Sequence, residues 1–115
     1  MKAKIAVLKT DVGRVLDDYS RLMRMAGYDR ILSKDLPTLL KLNLSWTKYF
    51  PACSTEPWQL EGVVRAMRED GYEPDRLIPV ENRTVVTDPW KGARNNRWLP
   101  VLEQYGLKFT PLTEV

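Results

Sequence analysis

Two strand-like segments of this sequence end in residues that can hold an anion. Residues 39–44 form an apolar run in which Lys41 and Asn43 stand at alternate positions, and therefore on one face of a strand. Arg83 follows a later apolar segment. A guanidinium binds a carboxylate or phosphate as a two-pronged donor, whereas an ammonium acts as a point charge. The two cations together predict a site for a small anionic ligand or substrate.

Polar residues after both segments complete the predicted site. The carboxyl ends of neighbouring parallel strands meet at one edge of a sheet, where open α/β sheets hold their ligands. A helix beginning near Thr55 would add backbone donors and a favourable dipole, and Glu81 or Asp88 could act as a base. The identity of any catalytic residue is left open. The predicted ligand-binding residues are Lys41, Asn43, Ser45, Thr47, Lys48, Glu81, Asn82, Arg83 and Asp88, with Thr84 beside them.

The same residues also have a structural interpretation. Lys41 and Glu81 can form a structural ion pair, with the two polar loops as ordered surface. Lys41 can equally reach solvent from an edge strand while Asn43 starts a turn. Sequence alone leaves these alternatives open.

The cysteine and histidine content excludes several classes of chemistry. The 115 residues include one cysteine, Cys53, and no histidine. An internal disulfide, an all-cysteine cluster site, ordinary zinc sites and catalysis by Ser–His or Cys–His pairs are therefore excluded within one chain. We predict neither a metal nor a cofactor. Cys53 precedes a helix start, where a thiolate is favoured, but without a histidine partner an inert, part-buried thiol is the preferred interpretation.

Length, composition and charge indicate a single globular domain spanning residues 1–115, which the pattern described next assigns to the α/β class. Hydrophobic residues make up 43% of the chain and charged residues 29%, which excludes a disordered chain. The net charge of +3 permits an anionic ligand without favouring nucleic acid as a partner. The apolar run Ile5 to Leu8 is too short for a signal peptide or membrane span, so we expect a cytoplasmic protein with no membrane partner.

The hydrophobic pattern alternates strands and helices. This alternation predicts right-handed crossovers and a small, mostly parallel four-stranded sheet in β-α-β-α-β-α-β order, with helices on both faces in Rossmann-like layering. Glycines at 27, 71 and 106 end the three helices. Two long loops, 45–54 and 81–91, follow strands. The predicted strands are 5–8, 38–44, 77–80 and 107–112, and the predicted helices begin at about 15, 55 and 92.

Prolines and tryptophans refine this outline. Pro79 lacks a ladder donor, so it must lie at a free edge, a bulge or the end of its strand. Pro100 either breaks the third helix or begins its second half at a first-turn position. The tryptophans at 46, 58, 90 and 98 cluster around the two long loops and the helix starts. They could line a ligand or partner surface, although we prefer two or three of them as lids on the core.

Several short motifs follow one another in a recognisable order. They are Lys41-Leu42-Asn43-Leu44, Ser54-Thr55-Glu56-Pro57 with its helix, Gly71-Tyr72, Val80-Glu81-Asn82-Arg83, and the segment from Trp90 to Gly106-Leu107. In this order they resemble the family called domain of unknown function 362, over nearly the whole chain. Leu42 stands where that family usually has proline, so the resemblance does not imply a rigid turn after the lysine.

The resemblance implies a fold more than an activity. Domains of that family are longer, so this chain would correspond to their amino-terminal part. Many members are associated with iron–sulfur proteins or carry a ferredoxin-like module, but the cluster-binding cysteines are missing here, and no cluster is carried over.

Two functions follow from these observations. The first is binding of a small anionic ligand by the amino-terminal part of a larger protein. The alternative is a protein-interaction or homo-oligomerisation module without catalysis, because a missing half-sheet would leave apolar surface for a second copy or for the remainder of the protein. A self-sufficient enzyme ranks third. Residues 10–13 lack the glycine spacing of a dinucleotide site.

Overall fold

A computed structural model describes residues 2–115, and its central element is a parallel sheet of three strands. The strands are β1 (Thr38–Lys41), β2 (Leu77–Glu81) and β3 (Thr110–Pro111), hydrogen-bonded in the order β1-β2-β3. The prediction of an α/β fold with a parallel sheet is confirmed. The described helices are α1 (Val15–Ala26), α2 (Pro57–Glu69), α3 (Pro89–Asn95) and α4 (Trp98–Gln104), with short 3-10 turns at Tyr28–Arg30, Pro74–Arg76 and Leu112–Glu114.

The first two helices form where the sequence predicts them. Gly27 adopts φ +73° and its N–H bonds the last turn of α1, so the helix ends in a left-handed residue that glycine tolerates. α2 begins at Pro57, close to the predicted start near Thr55. Glu56 is its N-cap, and the Gln59 side chain accepts the Glu56 N–H at 2.8 Å. Thr55 precedes the helix and pairs with Asn43.

The predicted third helix is two helices, α3 and α4. The helix is interrupted at Asn96 and Arg97. Arg97 adopts φ +59°, a left-handed conformation that is strained for a residue with a side chain. Pro100 lies in the first turn of α4, which confirms the second alternative for this proline. Pro100 thus indicated that the helix has a second half, whereas the exact residues of the interruption carry no glycine and were not predicted.

The strand order does not require helices on both faces of the sheet, which was the predicted arrangement. The strands follow one another across the sheet in chain order, from β1 to β3. Two right-handed crossovers in the same direction place their connecting helices on the same side of the sheet. α2 contacts both α1 and α4, as this geometry requires. On the opposite face of β1, Leu39 is 60% exposed. Two helical layers would have required the strand order to reverse.

The predicted first strand, residues 5–8, pairs with no strand in residues 2–115. Ile5 and Val7 are 83% and 81% exposed, and the sheet consequently has three strands where four were predicted. The predicted last strand, 107–112, is reduced to Thr110–Pro111. An apolar pattern indicates that a segment can be a strand, but a strand also needs a neighbour, which no local pattern supplies.

Close approaches between elements fix how the layers pack. Tyr19 of α1 lies directly over Gly62 of α2, where an added Cβ would stand 2.6 Å from its ring. The Leu44 side chain approaches Gly92 of α3 in the same way. Since β3 pairs only with the last two residues of β2, Pro79 faces no β3 residue and its missing N–H disrupts no pairing there. The core comprises Leu42, Leu44, Leu60, Val64, Met67, Tyr72, Leu77, Ala93, Trp98, Val101, Leu102, Leu107 and Phe109.

Candidate functional site at the ends of the strands

Glu81 is the centre of the first polar cluster. It ends β2, is 6% exposed, and accepts the Leu44 N–H at 2.7 Å and the Asn82 N–H at 2.8 Å. Lys41 Nζ donates to Glu81 Oε1 at 2.7 Å and to the Leu42 carbonyl at 2.8 Å. Lys41 and Glu81 thus form the ion pair described by the structural interpretation, and the carboxylate ties the start of the loop after β1 to the end of β2.

Arg83 belongs to a second cluster on the side of β3. Its guanidinium donates to Asp88 at 3.0 Å and lies 4.0 Å from the Glu114 carboxylate. Its backbone N–H donates to Thr113 Oγ1 at 3.3 Å. Each of the two predicted anion-binding cations therefore has its own carboxylate partner, and no contact among the described residues joins Lys41 to Arg83.

The two strand-end loops nevertheless meet, as the parallel-sheet argument predicts. Residues 45–56 form the first loop and residues 82–88 the second. Thr47 Oγ1 accepts the Asp88 N–H at 2.9 Å and donates to the Val86 carbonyl at 3.3 Å. Asn95 of α3 donates to the Thr47 carbonyl at 2.9 Å. Thr47 is thus the residue that holds both loops and α3 together.

Further hydrogen bonds lie within each of the two loops. Asn43 Nδ2 donates to Ser45 Oγ at 3.0 Å, and the Ser45 N–H donates to Ser54 Oγ at 3.1 Å. In the second loop, the Thr84 and Thr87 hydroxyls are 2.7 Å apart. These bonds order the loops. Asn82 donates its backbone N–H to Glu81, and its side chain makes no hydrogen bond within residues 2–115.

Lys48 differs from the other predicted cations. It is exposed and makes no ion pair within residues 2–115. It lines a cleft of about 280 Å³ together with Trp46, Thr47, Phe50 and Val86. Lys48 is therefore the predicted cation that lines this cleft with aromatic walls.

Asp88 serves as the N-cap of α3. Its Oδ1 accepts the Lys91 N–H at 3.0 Å. This backbone hydrogen bond, followed by the bond from Arg83, holds the pKa of Asp88 below its usual value. A carboxylate stabilised in its charged form is a weak base, so the geometry favours a capping role over the catalytic role considered from the sequence.

A patch of exposed apolar side chains lies on both loops, and Trp46 is its one member that the sequence indicated as part of a ligand or partner surface. Trp46, Tyr49, Phe50, Val85 and Val86 are all exposed, and we call them the loop surface. The hydrogen bonds of Thr47 bring the two halves of this surface together. The adjacent pair Val85-Val86 in an otherwise polar loop was the signal available in the sequence.

The tryptophans divide unequally between core and surface. Trp98 is completely buried and its indole N–H donates to the Thr55 carbonyl at 2.6 Å. Trp46, Trp58 and Trp90 are each partly exposed, although Trp90 packs edge-on against Phe109 at 5.2 Å between ring centroids. One tryptophan is therefore a core residue, and the others present a polar-tipped ring to the surface.

Cys53 is exposed, whereas the sequence predicts a part-buried thiol. It follows Ala52, which adopts φ +58° in the first loop, and this turn carries the thiol outward. Among the described residues, no group of three acidic or cysteine side chains is placed to hold a metal ion. The prediction that the chain binds no cofactor remains a prediction. None of the helices in residues 2–115 has the length and apolar character needed to cross a membrane.

A scan against protein-family models finds no match for this sequence, and searches of curated proteins and of solved structures find no similar chain. The resemblance to domain of unknown function 362 therefore stays a prediction, as do the anionic ligand and the cytoplasmic location.

Proposed function

We propose that this chain is a non-catalytic interaction module that associates with itself. The observation that supports this proposal is a contrast between polar and apolar groups. The polar side chains expected to bind a ligand mostly bond one another, whereas large apolar side chains remain exposed on the loop surface, on β1 and in residues 5–8. On the loop surface, Trp46, Phe50 and Val86 line one cleft, and contiguous exposed apolar surface of this kind is typical of interaction sites.

The ion pairs weigh against an anion site at the originally predicted cations. An anion binding to Lys41 would compete with Glu81, which is buried and would lose its compensating charge. An anion binding to Arg83 would compete with Asp88. Binding of an anion at either cation would therefore disrupt an existing ion pair. Binding of an apolar partner surface would not.

The predicted four-stranded sheet remains part of this proposal. Residues 5–8 supply the fourth strand in the associated form, because they keep the apolar pattern of a strand without a strand partner in residues 2–115. The alternative partner is the remainder of a longer domain, as the family resemblance implies.

Light scattering tests the proposed self-association. The weight-average mass should rise from that of a monomer to that of a dimer as the concentration increases. Association through apolar surface should persist at high salt, whereas association through exposed ion pairs should weaken. A constant monomer mass over the whole accessible concentration range would contradict the proposal.

A second candidate function is binding of a small anionic ligand with an apolar or aromatic part. The observation that favours it is Lys48, which makes no ion pair within residues 2–115 and lines the same cleft as Trp46 and Phe50. Aromatic carboxylates should then raise the melting temperature of the wild type but not of Lys48→Met. Lys108→Met is the matched control, because Lys108 is also exposed and lies at the opposite end of the sheet. Equal responses in the two variants would exclude this site.

A further inference from the structure

We propose that a second copy of this chain adds its residues 5–8 to the open edge of β1, and that the addition is reciprocal. This inference rests on the proposed self-association and names the two surfaces that would form the contact between the copies. Four features of the molecule support it: the edge, the segment, their positions and their charges.

The outer edge of β1 has unused backbone groups. The Leu42 N–H donates to the Val80 carbonyl at 3.0 Å, so even-numbered residues of this stretch point their backbone groups at β2. In a strand the direction alternates, and the groups of Leu39 and Lys41 therefore point away from the sheet. Further along, Thr55 closes the edge by bonding both backbone groups of Asn43 at 2.8 and 2.9 Å. The open edge is thus confined to β1.

Residues 5–8 have the complementary property. Exposure alternates along them, since Ile5 and Val7 are exposed while Ala6 and Leu8 are half-buried. None of residues 2–9 makes a backbone hydrogen bond to another described residue. An alternating segment with unused N–H and C=O groups has what strand addition to a sheet edge requires.

The segment and the edge lie on the same side of the molecule. Leu8 lines a cleft with Tyr19 and Trp58. Tyr19 also lines a groove of about 350 Å³ that runs along β1 beside Leu40. A two-fold axis near Tyr19 would therefore place the segment of each copy against the β1 edge of the other, which is a closed, isologous dimer.

A second copy suits this edge better than the chain's own segment. The Thr10 hydroxyl donates to Asp18 at 2.7 Å, and Leu8 is half-buried against α1, so the segment is held on its own helix. From there, Ile5 and Val7 face outward and can meet another molecule without rearrangement.

Charges beside residues 5–8 disfavour a dimer in which the two copies of this segment pair with each other. Lys4 and Lys9 flank the apolar residues on both sides. Two such segments paired with each other would place like charges together, which destabilises cross-strand pairs. β1 carries a single charge, Lys41, and that charge is already compensated by Glu81.

Disulfide trapping tests the pairing directly. Val7→Cys and Leu39→Cys are made in separate chains that also carry Cys53→Ser, and the two proteins are mixed and oxidised. We expect a covalent heterodimer on a non-reducing gel, at several-fold higher yield than for a mixture of Val7→Cys with Val85→Cys. Ile5→Cys with Leu39→Cys samples the neighbouring register.

The outcomes separate this inference from the proposed function. If light scattering shows a dimer while the control pair traps as well as the β1 pairs, the strand addition is wrong and self-association stands. If one chain carrying both Val7→Cys and Leu39→Cys yields only an internally linked monomer, the segment pairs within its own chain, and the second-copy proposal fails. A monomer at all concentrations would remove both proposals.

A backbone variant gives an independent readout. Val7→Pro removes one N–H of the segment, whereas Val7→Thr keeps it and preserves the β-branched shape. Because Val7 is exposed, neither change should lower the melting temperature of the monomer. We expect Val7→Pro to raise the dimer dissociation constant at least tenfold over Val7→Thr. Equal dissociation constants would overturn the proposed strand addition.

Discussion

The Glu81 and Asp88 clusters use the same chemistry, a carboxylate beside a cation, yet they differ in environment. Glu81 is almost completely buried, and its oxygens accept two backbone N–H groups besides Lys41. Asp88 pairs with Arg83, whose side chain is half exposed, and caps a short helix. Burial and the number of backbone donors, and not the residue types, decide which carboxylate holds the sheet and its loop together.

The largest expected effect comes from removing the buried carboxylate. Glu81→Ala should lower the free energy of unfolding by about 3 kcal/mol, because two backbone N–H groups lose their acceptor and Lys41 loses its partner. Urea denaturation measures the change. Glu81→Gln, which keeps one carbonyl acceptor, should lose less. A loss for Glu81→Ala no greater than that for Arg83→Met would erase the distinction between the two clusters.

The next effect tests the packing that positions Leu44 for Glu81. Gly92→Ala should cost about 2 kcal/mol of unfolding free energy, since the new methyl group would overlap the Leu44 side chain. Gly13→Ala is the control, because the nearest atom to an added Cβ there is an exposed Asp11 oxygen at 3.4 Å. If both variants unfold at the same urea concentration, Leu44 moves aside easily and does not hold the Glu81 cluster rigidly.

The two cations should also differ, by a smaller amount. Lys41→Met should cost about 1 kcal/mol, because Glu81 keeps its backbone donors but loses a charge partner that is itself 58% exposed. Arg83→Met should leave stability unchanged within measurement error, as expected of a surface pair. Comparing the two urea midpoints checks the ranking, and the reverse order would show that the Asp88 cluster carries the structural role.

The smallest effect is a pH dependence at Asp88. Its folded-state pKa is lowered, so the charged form contributes stability above the ordinary pKa of 3.8, and this contribution is lost as the pH falls through the folded pKa. Asp88→Asn should therefore flatten part of the loss of melting temperature below about pH 4. Parallel curves for the variant and the wild type would show that capping by Asp88 does not depend on its charge.

Local signals allowed much of the fold to be predicted. α1 and α2 have amphipathic spacing and glycine stops, and β1 and β2 have short apolar runs, so each element is specified by its own residues. The isolation of residues 5–8 and the one-sided packing depend on contacts distant in sequence. The left-handed Arg97 has no local signature, because long polar residues rarely adopt that conformation.

The candidate site was predictable in its location and not in its bonding. Strand adjacency correctly indicated that the loops after β1 and β2 meet, which Thr47 and Asp88 achieve. Lys41 and Arg83 each contact a carboxylate because Glu81 and Asp88 lie within hydrogen-bond distance of them. Distances of a few ångströms between side chains cannot be determined from the spacing of residues along the chain.

Because one tryptophan is buried and three are partly exposed, the intrinsic fluorescence of the protein can report which surfaces are covered. Iodide in solution should dim the emission of Trp46, Trp58 and Trp90 while sparing that of Trp98, which is shielded from water. If mixing the protein with a binding partner increases the fraction of tryptophan fluorescence that iodide cannot quench, an indole that is exposed in the free protein has become covered. This measurement needs no added dye.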